Sequence, residues 1–93
     1  MYGQELLSMM KDFIDGRLEA DPFSFDFPGR LAFVYQNFQK ENPKLCNLLE
    51  ENMPDYCAAY DPDPGNEPDL LNGEQLRQKV KAVYEKAIIL QNR

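Results

Sequence analysis

Carboxylates are the side chains of this sequence whose distribution points most clearly to chemistry. Between Leu45 and Leu76, a stretch called here the acidic segment, the chain has neither Lys nor Arg. Its eight acidic residues are Glu50, Glu51, Asp55, Asp61, Asp63, Glu67, Asp69 and Glu74. The rest of the chain is nearly balanced, so the acidic segment accounts for the net charge of −6. Such a surface attracts a positively charged partner, raises the association rate and repels acidic competitors.

Two further features favour a binding surface over an ordinary solvated face. Tyrosines, which are frequent interface anchors, lie among the acids, and three prolines stiffen the chain over residues 61–71. The candidate partner-binding residues are Glu50, Glu51, Asp55, Tyr56, Tyr60, Asp61, Asp63, Glu67 and Asp69. For the two tyrosines the sequence leaves two alternatives open, an interface anchor or a core residue.

Catalysis, metal binding and nucleic-acid binding are not expected. The chain contains no His, the commonest general acid–base residue, and two Cys alone lack the ligand set of a structural zinc site. Residues 61–72 resemble a calcium-binding loop, but Gly65 is in the fifth place instead of the sixth, and Asn72 stands where the loop needs Glu. Direct nucleic-acid binding needs a basic surface, and this chain presents the reverse. We therefore predict a non-enzymatic protein without metal or cofactor.

Apolar residues at helical spacing predict the first two helices. The first covers residues 4–15 and ends at Gly16, which can adopt the left-handed conformation. The second runs from Pro28 to Glu41, with Pro28 in its first turn. Residues 17–26 between them are predicted to form a loop or a helical turn. The phenylalanines at positions 23, 25 and 27 are expected to be its apolar anchors.

The second half of the chain has equally clear helix signals. Asn42 and Pro43 are typical N-cap and N1 residues and begin a third helix. Since a proline disturbs a helix interior, we expect a kink or break at residues 52–54 and a short helical piece over 55–60. Residues 61–71 form an exposed loop, and Asn72 with Gln75 forms a capping box that begins the last helix.

These elements predict an all-α single domain over residues 1–93, a small helical bundle with a proline-rich acidic loop before the last helix. Cys46 and Cys57 are predicted to be free thiols packed in its core. No apolar run approaches the ~20 residues of a membrane span, and the beginning of the chain does not resemble a secretory signal. We expect a cytoplasmic protein without a membrane partner.

Three stretches carry a resemblance to a known family. They are LLSMMKDFIDGRLEADPF over residues 6–23, DYCAAYDPDP over 55–64 and EQLRQKVKAVYEKAI over 74–88. Together they are similar to the colicin D-like immunity proteins, which include immunity proteins of contact-dependent growth inhibition toxins. The loop DPDPGNEPD is longer here than is common in that family.

The resemblance implies an antiparallel four-helix bundle that binds the C-terminal nuclease domain of a bacterial toxin. It also implies that acidic side chains block a tRNA-cleaving active site by lying where the substrate phosphates would lie. A tRNA-binding cleft must be basic, so this expectation agrees with the charge distribution. The partner predicted is thus a cognate toxin nuclease domain. The alternative is a helical regulatory or adaptor domain whose groove binds a partner helix.

Overall fold

The protein is an antiparallel four-helix bundle, which confirms the predicted all-α fold. A computed structural model describes residues 2–91, with helices α1 (Tyr2–Ile14), α2 (Ala20–Glu41), α3 (Pro43–Ala59) and α4 (Gly73–Gln91). Each helix packs mainly on two others, in the cyclic order α1, α2, α3, α4. None of the helices in the described range combines the length and the apolarity needed to cross a membrane.

The end of α1 is a Schellman motif at the predicted glycine. Gly16 has a φ of +83°, and its N–H donates to the Phe13 carbonyl at 3.1 Å. The N–H of Arg17 donates to the Asp12 carbonyl at 2.8 Å, and its guanidinium donates to the Asp12 carboxylate at 3.0 Å. Backbone and side-chain bonds thus end α1 at the same turn.

The starts of α3 and α4 are capped as predicted. The N–H of Leu45 donates to the Asn42 side chain at 3.2 Å, and the Asn42 amide donates onward to the Leu90 carbonyl. At α4 the N–H of Gln75 donates to Asn72 Oδ1 at 2.8 Å, and the N–H of Asn72 donates to Gln75 Oε1 at 2.9 Å. These caps satisfy backbone N–H groups that a helix start leaves without a partner.

Helix α2 begins at Ala20, so the prediction of a start at Pro28 is wrong. Phe23 and Phe27 are fully buried one helical turn apart, and the Phe23 ring stacks on Phe13 with 4.3 Å between centroids. Burial of two rings offsets the loss of one helical hydrogen bond at Pro28, which lies inside the helix. Phe25 is 82% exposed and is therefore not the anchor that was predicted.

Helix α3 runs without interruption to Ala59, so of the kink or break predicted at residues 52–54 the break is wrong, and residues 55–59 continue the same helix. Met53 and Cys57, on either side of Pro54, are both buried. A break in the helix would turn one of these two side chains out of the core. Because burial of both is favourable, the helix stays continuous. The Asn52 side chain adds a hydrogen bond to the Leu48 carbonyl at 2.8 Å.

The core is apolar throughout the described residues, with no buried polar or charged side chain. Cys46 and Cys57 lie within it as free thiols, which confirms the prediction for both. Burial raises the pKa of the Cys57 thiol to about 12. Burial and the nearby charge of Glu50 also raise the pKa of Cys46. Both thiols therefore stay protonated near neutral pH and serve as packing groups.

Candidate protein-binding surface

Helix α3 carries four of the nine predicted binding residues. Glu51 and Asp55 lie one turn apart on its outward side, where both are exposed. Glu50 is also exposed, whereas Tyr56 is half-buried. Met53 and Cys57 face the core because of the apolar spacing along α3. The same spacing makes Glu51 and Asp55 face outward.

This arrangement of charges is unfavourable for α3 itself. Like charges one turn apart repel each other, as Glu51 and Asp55 must. The last turn of α3 contains no basic residue, although the negative end of the helix dipole favours cations there. The acids of α3 thus have no stabilising role that the helix requires.

The segment between α3 and α4 is a closed loop tied together at its base. The N–H of Asp61 donates to the Leu71 carbonyl at 2.8 Å, and the N–H of Leu71 donates to the Ala59 carbonyl at 2.9 Å. These two bonds hold the ends of the loop side by side, with Tyr60 and Leu71 forming an isolated parallel bridge. The loop therefore has a fixed base despite its lack of helix or strand.

Short turns order the interior of this loop. The N–H of Asp63 donates to the Asp61 carboxylate at 2.9 Å, an Asx turn. Gly65 adopts a positive φ of +62°, and the N–H of Glu67 donates to the Pro64 carbonyl at 3.2 Å. The side chains of Asp63, Glu67 and Asp69 are exposed. Asp61 is half-buried and has a local structural role.

Both predicted tyrosines pack against the core while part of each side chain remains exposed. The ammonium of Lys79 lies 5.9 Å from the centre of the Tyr56 ring. The Tyr60 hydroxyl donates to the carboxylate of Asp21 in the first turn of α2. This hydrogen bond, with burial and neighbouring acids, raises the pKa of Tyr60 to about 12. Tyr60 therefore joins the base of the loop to α2.

The remaining carboxylates of the surface share one property: within residues 2–91 they form no ion pair and accept no hydrogen bond. They are Glu50, Glu51, Asp55, Asp63, Glu67 and Asp69. We call these six the unpaired acids. Glu74, at the end of the acidic segment, is different because it pairs with Arg77 at 2.8 Å.

Sequence reasoning missed the partners that fix this surface. Asp21 lies 39 residues before Tyr60, and Lys79 comes from a different helix than Tyr56. No local pattern relates residues so far apart, since only the packing of the helices brings them together. Asp21 did not stand out in the sequence as a partner of Tyr60, because acids are common in the first turn of a helix.

The chemistry available to the unpaired acids is the attraction of cations. No group of three or more His, Cys, Asp or Glu side chains in the described part of the chain is arranged to hold a metal ion. Lys and Arg side chains are among the cations that such a surface attracts. No protein-family model, curated protein or solved structure matches this chain.

Proposed function

We propose that this chain is an immunity protein of the colicin D-like type, which binds and neutralises the nuclease domain of a cognate bacterial toxin. Its acidic segment covers the basic, tRNA-cleaving active site of that domain. The resemblance of residues 6–23, 55–64 and 74–88 supports the choice of partner. The observation that carries the proposal is the set of six unpaired acids in a segment without Lys or Arg.

The energetics of α3 support an intermolecular role for these acids. Glu51 and Asp55 repel each other, and Asp55 lies toward the helix end where negative charge is unfavourable. A basic partner would remove both penalties, because its cations would neutralise the two carboxylates. At these two positions, binding therefore favours an acid, whereas the stability of α3 favours an uncharged residue.

The loop supports the same role through its order. Two backbone hydrogen bonds close its base, and prolines at positions 62, 64 and 68 restrict its backbone. A loop already restricted in the free protein loses less conformational entropy on binding than a flexible one. Glu67 and Asp69 can therefore contact a partner at a lower entropic cost.

Co-expression tests the proposed function directly. Cells that express the toxin encoded beside this chain should grow when the chain is present and stop growing without it. With purified components, the chain should inhibit tRNA cleavage by the nuclease domain at a one-to-one molar ratio. Full toxicity in the presence of the folded chain would refute the proposal.

A matched pair of variants tests which surface is responsible. Asp55→Asn with Glu67→Gln removes two unpaired acids from the proposed contact surface. Glu19→Gln with Glu85→Gln removes two exposed acids that lie outside the acidic segment and also form no ion pair within the described residues. The first variant should inhibit the nuclease at least ~10-fold less well, and the second should match the wild type. Equal inhibition by both variants would exclude the acidic segment as the contact surface.

A partner-helix groove, as the adaptor alternative requires, has less support. A hollow of about 600 Å³ lies beside the end of α2, the start of α3 and the end of α4. Most of the side chains around it are polar or charged, including Glu41, Asn42 and Lys44. An amphipathic helix needs an apolar groove for its anchors, and this lining does not provide one.

A further inference from the structure

The most exposed large apolar side chains of the described residues are on α2, away from the acidic segment. Phe25 is 82% exposed and Phe33 is 80% exposed. Helical spacing places them on one side of α2 together with three smaller exposed residues. We call this set the α2 stripe: Pro22, Phe25, Gly29, Ala32 and Phe33.

The stripe lies on the side of α2 opposite to the core. Phe23, Phe27 and Leu31 of the same helix are buried inside the bundle. A surface helix ordinarily has one apolar face, and a helix that is apolar on two faces is usually covered on both. Within residues 2–91 the Arg30 guanidinium lies 5.4 Å from the centre of the Phe33 ring, but both Phe25 and Phe33 remain about four-fifths exposed.

Gly29, at the centre of the stripe, is a second unexplained feature. Glycine weakens a helix interior because it costs backbone entropy on folding. A Cβ added at Gly29 would meet no atom within 4 Å, so packing within the chain does not require a glycine there. Close approach of another helix to the backbone at this point would require one.

We propose that the α2 stripe is the interface of a homodimer, in which the α2 helices of two copies pack antiparallel about a two-fold axis at Gly29. Phe25 and Phe33 are each four residues from Gly29, in opposite directions. An axis at Gly29 therefore brings Phe25 of each copy level with Phe33 of the other. The contact is isologous and closed, as in most homodimers.

Charges beside the stripe favour a second copy over a different protein. Asp26 and Arg30 lie on one flank of the stripe, one helical turn apart. Antiparallel pairing brings Arg30 of each copy close to Asp26 of the other, on the same flank. Arg30 donates through its Nε to Glu5 and lies against the Phe33 ring, which leaves its terminal nitrogens beside the stripe for such a contact. Asp26 forms no ion pair with the described residues of its own chain. The charges on this flank of one copy are thus complementary to those on the same flank of the other copy.

The available area fits a small but specific dimer. A Phe side chain buries about 150–250 Å², so four rings that are each about four-fifths exposed contribute roughly 600 Å² to the interface. A specific interface buries about 1,200–2,000 Å² in total. The rings thus supply a third to a half of that area, so the proposed interface must also include the other residues of the α2 stripe and its flanks. The dimer is independent of the proposed function, because the α2 stripe and the acidic segment share no residue.

Sedimentation of the full chain over a concentration series tests the dimer. The mass should rise reversibly from 10.8 kDa to twice that value. Phe25→Ser and Phe33→Ser should each weaken self-association at least ~10-fold, since each removes two rings from the interface. Ile89→Ser, which changes a 56% exposed apolar residue on α4, should leave self-association unchanged. Circular dichroism will show whether every variant keeps the helical content of the wild type.

Disulfide crosslinking tests the position of the axis. Gly29→Cys should form a covalent dimer on mild oxidation, because close helix approach brings the two Cα atoms within the ~7 Å limit of a disulfide. Ala58→Cys, on the exposed side of α3, should stay monomeric under the same conditions. A wild-type protein that keeps the single-chain mass throughout the series would overturn the proposal. A dimer that is unaffected by the Phe variants, or that crosslinks equally well at position 58, would also overturn it.

Discussion

Carboxylates in α1 and α2 differ from those in α3 and the loop in what they contact. Glu5 accepts from Arg30, Asp12 from Arg17, and the Glu41 carboxylate accepts the backbone N–H groups of Tyr2 and Gly3. In the acidic segment, by contrast, six acids have no such contact within the described residues.

The difference separates two uses of negative charge in one small bundle. Glu5, Asp21 and Glu41 of the first half join neighbouring elements and so contribute to the stability of the fold. The six unpaired acids contribute no such contact within residues 2–91, and two of them oppose the stability of α3. Conservative substitutions of these two kinds of acid should therefore have effects of opposite sign on the free energy of unfolding.

The largest effect is expected for the buried thiols, which share the acidic segment with the unpaired acids but face the core. Replacing both Cys46 and Cys57 with Ala should lower the free energy of unfolding by about 1 to 3 kcal/mol, because each change leaves a small cavity. Urea unfolding measures the loss, and inhibition of the toxin nuclease should persist. Loss of inhibition with stability intact would show that the thiols act in binding.

Glu41→Gln should have the next largest effect. The carboxylate accepts two N–H groups of the first turn of α1, at 3.0 Å from Gly3 and 3.4 Å from Tyr2. Hydrogen bonds to a charged acceptor at a helix start are worth about 1 to 2 kcal/mol together, and an amide keeps only part of that. Urea unfolding of the variant at neutral pH checks the value. An unchanged midpoint would mean that these contacts do not stabilise the bundle.

Tyr60→Phe tests the bond between the loop base and α2, and should cost about 1 kcal/mol at neutral pH. The hydrogen bond to Asp21 is the main reason that the pKa of Tyr60 is raised from 10 to about 12. The raised pKa means that the folded state favours the protonated phenol. The contribution of this hydrogen bond to the stability of the fold is therefore complete below pH 10 and is lost as the pH rises through about 12.

Unfolding midpoints measured across this alkaline range distinguish Tyr60 from the other tyrosines. The wild type should lose stability more steeply than Tyr60→Phe between pH 10 and about 12. Parallel curves for the two proteins would show that the Tyr60 hydroxyl has no special partner in the fold.

Glu51→Gln should have the smallest effect and the opposite sign. Removing one member of the Glu51 and Asp55 pair relieves a repulsion, which should raise the free energy of unfolding by about 0.2 to 0.5 kcal/mol. Glu41→Gln is the matched comparison, because the chemical change is identical in a place where the carboxylate has partners. A loss of stability in both variants would contradict the contrast between the two halves.

Local signals in the sequence were sufficient to predict much of the fold. Gly16, Asn42 and Asn72 mark helix ends through their own conformations and side chains, and the structure confirms all three. The proline positions misled the prediction, because Pro22 and Pro28 obscured the first two turns of α2 and Pro54 indicated a break. Burial of Phe23, Phe27, Met53 and Cys57 decides these points, and burial depends on the assembled bundle.

The candidate surface was predictable in composition but not in contacts. The absence of Lys and Arg between Leu45 and Leu76 is visible in the sequence. The closure of the loop by Ala59, Asp61 and Leu71, and the bond from Tyr60 to Asp21, depend on how α2 and α3 pack. The stripe formed by Phe25 and Phe33 was likewise hidden, since the start of α2 determines which way Phe25 faces.

The central claim is that the unpaired acids form the surface that meets a basic partner. Its most direct test is the association rate constant for the purified nuclease domain, measured against ionic strength. The wild-type rate should fall steeply with added salt, since the Debye length is only about 8 to 10 Å at physiological ionic strength. Asp55→Asn with Glu67→Gln should associate more slowly and respond less to salt, whereas Glu19→Gln with Glu85→Gln should match the wild type. A flat salt response in the wild type, or the same rates in both variants, would contradict the claim.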